Sequence, residues 1–99
     1  MKVIHKRRLL ECARIVAGVP DSKYNQTTYA YGRIMDGCAM CALAHYDCVV
    51  DRQDTTPEEH FGLNYSEYYE IFGADGCGNA KSGKQAAAYI RKFIERKAA

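Results

Sequence analysis

The chain has 99 residues, a net charge of +2, 47% hydrophobic and 26% charged residues, and a mean hydropathy of −0.41. That length predicts one domain over 1–99, with roughly two-thirds of the unfolded surface buried on folding. No apolar run approaches the ~18 residues of a membrane span; Met1 to Arg8 carry charge with no apolar stretch behind them, so no secretory signal is expected and the cytoplasm is the expected compartment.

Residues 3–17 read as a helix, because Leu9, Cys12, Ala13 and Val16 fall on one stripe while Arg7, Arg8, Glu11 and Arg14 lie off it. Gly18-Val19-Pro20 stops it. Residues 20–36 are polar and rich in turn formers, so a long loop with at most one helical turn is expected, pinned to the core by Tyr24, Tyr29 and Tyr31. Residues 38–48 hold mostly small apolar side chains and are expected to form the central, most buried helix. Thr56-Pro57-Glu58-Glu59 is a helix start. A Thr cap with Glu three residues on can form reciprocal bonds, and Pro fits the first turn, where its missing amide is not needed. Asn64-Tyr65-Ser66-Glu67 repeats that logic and opens a helix to Phe72, stopped by Gly73. Residues 73–81 form a Gly-rich loop, and Ser82-Gly83-Lys84-Gln85 opens a last helix to about Lys97. No stretch alternates as a strand does and no repeat is visible. The expected fold is all-α, a compact bundle of four to five helices, some short, with the long tyrosine-containing loop after the first helix.

As a set, Gly37, Cys41, Ala42, His45, Phe61-Gly62-Leu63, Phe72-Gly73 and Ile90 to Ile94 resemble a group of small bacterial and phage proteins without an established activity. Their centre reads C-G-T-x-x-C-A-x-G-[HW], followed by Phe-Gly-Leu and Leu-Phe-Gly segments. The likeness spans roughly residues 9–97. Asp36, Cys38 and Ala44 depart from that centre. The resemblance implies an accessory protein of phage or bacterial genomes.

Several patterns mimic chemistry. Cys38, Cys41, His45 and Cys48 have the look of a metal cluster. On one continuous helix, however, Cys38 and Cys48 lie ~15 Å apart, whereas donors on one zinc lie within about 4 Å. Cys41 and His45 could hold a metal only if Cys77 and His60 came in from elsewhere. Cys38-Ala39-Met40-Cys41 has redox spacing but no βαβ setting around it. Gly78 to Gln85 imitates a phosphate-binding loop, yet Gln85 replaces the magnesium-holding hydroxyl and no strand precedes it. No acid, base and nucleophile assemble, so neither catalytic residues nor a cofactor nor a metal is assigned, and the cysteines read as free, buried packing material.

Charge is uneven. Residues 1–19 carry a net +4, residues 20–80 a net −7 and residues 81–99 a net +5. Such a pattern suits either terminal helices docked electrostatically on an acidic middle, or one basic surface for a polyanion. Eight tyrosines and no tryptophan are unusual at this length, and Tyr65, Tyr68 and Tyr69 cluster with Glu67 on one short helix. One side of that helix must face the core; the other would show aromatic rings among carboxylates, the composition of a protein-binding surface. The expected function is therefore a small interaction module that binds another protein through Tyr65, Tyr68, Tyr69 and Glu67. The alternatives are nucleic-acid binding through Lys6, Arg7, Arg8, Arg14, Lys84, Arg91, Lys92 and Arg96, and a cysteine-based metal or redox protein.

Overall fold

The computed structural model describes residues 1–28 and 41–98. Five α-helices are present and no strand among the described residues: α1 (Val3–Ala17), α2 (Ala42–Asp47), α3 (Pro57–Phe61), α4 (Tyr65–Phe72) and α5 (Gly83–Ala98). The all-α expectation holds. The longest helices, α1 and α5, form the main packing pair, and α2 and α3 also lie on α1. The C-terminal end of α1 meets the N-terminal end of α5, so the two run antiparallel. At that crossing a Cβ on Gly83 would overlap the Val16 carbonyl oxygen, which makes the absence of a side chain a condition of the approach.

The core follows from the stripes. Leu9, Cys12, Ala13 and Val16 of α1 are fully buried against Ala86, Ala87, Ile90, Phe93 and Ile94 of α5. Each fully buried large apolar side chain contributes about 1.5–3 kcal/mol. From α2 to α4 the core is an aromatic ladder: Tyr46 to Phe61 at 5.1 Å between ring centroids, then Phe61 to Phe72 at 5.3 Å.

Both middle caps form as the sequence implies. The Thr56 hydroxyl accepts from the Glu59 amide at 3.1 Å while Glu59 accepts from the Thr56 amide, and Asn64 and Glu67 bond in the same reciprocal way. Gly62 then closes α3 in the left-handed conformation at φ 66°. The third cap differs in one arm: the Gln85 amide donates to Ser82 Oγ, but the Gln85 side chain takes the Lys81 amide.

The expected 38–48 helix is corrected. Cys41 has an extended backbone and acts as the N-cap, so α2 begins at Ala42 and ends at Asp47. The reason is tertiary: the Cys41 amide donates to the Thr28 carbonyl at 2.7 Å, which ties the residue to the preceding segment. Cys38 to Met40, like Tyr29 and Tyr31, lie outside the described residues. Tyr24 does pin its segment. It is buried, its hydroxyl donates to Gln26, and the Gln26 amide nitrogen donates to the Gly73 carbonyl at 2.8 Å and the Ile71 carbonyl at 3.3 Å. One 3₁₀ turn, Asp21–Lys23, precedes it. The Gly-rich stretch holds the short turn Gly76–Asn79, where Cys77, Gly78 and Asn79 are left-handed in succession.

Candidate functional site

Helix α4 is amphipathic with two aromatic faces. Ile71 and Phe72 enter the core. Tyr68, half-buried, leans on them with its ring 6.0 Å from that of Phe72. One turn apart on the other side, Tyr65 and Tyr69 are 69% and 55% exposed, and their rings lie 5.1 Å apart. Tyr68 meets Tyr69 edge to face at 6.1 Å, so the three tyrosines form one continuous aromatic surface that runs from core to solvent. The neighbouring Tyr69, then burial and the charge of Glu58, push the Tyr65 phenol up.

The carboxylates beside these rings have internal partners. Glu67 completes the α4 cap and pairs with Lys97 of α5 at 2.5 Å. Glu70 accepts from the Tyr89 hydroxyl at 2.7 Å and pairs with Arg96. Those pairs hold both carboxyls below the usual carboxylate range. Of the predicted site, Tyr65 and Tyr69 are thus displayed, Tyr68 is shared with the core, and Glu67 serves α4 and its dock on α5. Sequence reasoning did not assign Glu70, Tyr89 and Arg96 to one cluster. The only signal was the charge imbalance between the middle and the C-terminal end.

The basic residues divide. Arg96 is engaged by Glu70, Arg14 pairs with Glu11 on α1, and Arg8 donates to the His60 carbonyl at 2.9 Å. Lys6, Arg7, Lys84, Arg91 and Lys92 have no ion pair among the described residues.

The four described cysteines do not assemble a site. Cys12, Cys41 and Cys77 are buried and Cys48 is half-buried, all as free thiols. Burial pushes each of the four up, Cys77 to about 12, so the thiol form dominates at neutral pH. His45 is not aimed at Cys41; its Nε2 donates to the Lys23 carbonyl at 2.7 Å. His60 lies elsewhere, buried, with Nε2 2.7 Å from the Tyr46 hydroxyl oxygen. Among the described residues no three His, Cys, Asp or Glu side chains are placed to hold a metal ion, and no helix is long and apolar enough to cross a membrane.

The fold and surface define a small helical protein with an exposed tyrosine pair on a short helix. No protein-family model matches the chain, and no curated protein or solved structure does.

Proposed function

We propose that this protein is a small, non-catalytic interaction module that binds another protein through the tyrosine surface of α4. The observation that carries the reading is the exposed Tyr65–Tyr69 pair, backed by Tyr68. Large rigid rings lose little conformational freedom on binding and supply most of the contact energy where they occur at interfaces. Three features hold this pair in place before any partner arrives: the Asn64–Glu67 cap, the Glu67–Lys97 pair and the Glu70–Arg96 pair. The resemblance in the sequence supports a role as an accessory protein of a phage or mobile element, acting in the cytoplasm.

The test is the double variant Tyr65→Ala/Tyr69→Ala. Both rings are exposed, so the helical fold is expected to persist by circular dichroism. A partner that cross-links to the native chain should no longer do so. Equal cross-linking by the folded double variant would remove this reading.

The second reading, nucleic-acid binding, is supported by Lys6, Arg7, Lys84, Arg91 and Lys92 on the antiparallel pair α1 and α5, none of which has an ion pair among the described residues. It requires an affinity that falls steeply with salt as counterions are released. Replacing Lys6 and Arg7 by Gln would then weaken binding and flatten that salt dependence, whereas the tyrosine double variant would leave it unchanged.

A further inference from the structure

Away from the tyrosine surface, side chains from three helices meet at one cavity. Arg8 of α1, Tyr46 of α2 and His60 of α3 line a space of about 320 Å³ with Val50, Asp51, Arg52, Gln53 and Thr55 of the α2–α3 connection. The two arginines differ in how their charge is met. Arg52 gives Nε and one terminal nitrogen to Asp47 at 2.7 and 2.8 Å and the other to the Thr55 carbonyl at 2.7 Å. Arg8 is half-buried, donates one bond to the His60 carbonyl at 2.9 Å, and has no carboxylate within ion-pair distance among the described residues. The Asp51 carboxylate also lines the cavity, but it is exposed and accepts from the Gln53 amide at 2.8 Å.

A cation withdrawn from water without a counterion is costly, and an anion brought into the same space offsets that cost. The planar guanidinium fork suits an oxyanion, to which it can give two parallel bonds. The rim is a tight turn, closed by the Thr55 amide on the Arg52 carbonyl at 3.1 Å, with Gln53 and Asp54 left-handed at φ 53° and 65°.

We propose that this cavity binds the oxyanion group, carboxylate or phosphate, of a small molecule, with Arg8 as its charged anchor. Arg52, its charge met by Asp47, forms part of the wall and adds no net charge there. The site is separate from the α4 surface and does not depend on it.

The test is an NMR titration of the whole chain in chloride buffer with acetate in one arm and inorganic phosphate in the other, observing the His60 and Tyr46 rings. A saturable shift with at least one anion is expected. It should weaken at least roughly tenfold in Arg8→Gln and by a smaller factor in Arg8→Lys, because the first loses the charge-assisted bond outright and the second keeps the charge but loses the planar two-bond fork. Response to acetate alone assigns a carboxylate, and response to phosphate alone a phosphoryl group. Absence of a saturable shift with either anion overturns the proposal, as does equal binding by folded Arg8→Gln. Should Arg8→Gln not fold, the native chain decides: an anion seated beside His60 must raise the pKa of its ring, and an unchanged value at saturation overturns the proposal equally.

Discussion

His60 shows how much one buried side chain can report. It is enclosed by Tyr46 and Phe61, with ring centroids 5.5 and 4.9 Å away. Burial first, then the charges of Arg8 and Arg52, hold its pKa below the ordinary 6.5. A histidine depressed in the folded state contributes stability that is complete above its unfolded value and lost as pH falls through the folded one. Denaturation midpoints should therefore be flat above about pH 7 and decline below 6.5. In His60→Gln the decline in that window should be reduced, and an unchanged slope would assign it elsewhere. Gly62 matters for a different reason. Its left-handed backbone and the His5 ring packed over it both disfavour a side chain. Gly62→Ala should cost roughly 1–3 kcal/mol, read from chemical unfolding.

At the scale of elements, α4 is too short to be stable by propensity alone. Burial of Ile71 and Phe72 holds it, and its cap and two ion pairs to α5 add smaller increments. Asn64→Ala should cost about 1 kcal/mol, as loss of a capping side chain does. A double-mutant cycle on Glu67 and Lys97 should give a coupling of about 0.5–1 kcal/mol, because the lysine end is partly solvated. Both Glu67 and Glu70 titrate below the ordinary 4.5, chiefly through their bonds to Lys97 and Arg96. Their contribution is complete above 4.5 and is lost as pH falls further, a second acid step distinct from that of His60. These caps and stripes were legible because they are local. The 3–17 helix and the Thr56 and Asn64 starts depend on residues within four positions of one another. The N-terminal limit of α2 was not legible, because Cys41 is held extended by a carbonyl 13 positions earlier, at Thr28.

For the whole molecule, the packing of α1 on α5 turns on their close approach at Gly83. Gly83→Ala would drive a methyl group into the Val16 carbonyl, so the helices must separate. A loss of about 1–3 kcal/mol and a lower thermal midpoint are expected, even though alanine favours helix more than glycine does. Thiol chemistry reports the same core from within. In a Cys38→Ser background, Cys48 should react with a thiol reagent in the native protein, while Cys12, Cys41 and Cys77 should react only as the molecule unfolds. Fast reaction of all four would contradict a single closed core.

The chain order of residues determined the helical class, the polarity of α1 and α5, the two reciprocal caps and the presence of an aromatic cluster on α4. Each of these rests on side-chain periodicity or on bonds within one turn, which neighbours in sequence can dictate. Only the tertiary structure decided which tyrosines meet solvent, that Glu67 and Glu70 face Lys97 and Arg96, and that Arg8 reaches His60 from 52 positions away. Those outcomes depend on how helices remote in sequence settle against one another. That is set by the volume of the shared core and the closeness Gly83 permits, and neither is a property of any local stretch.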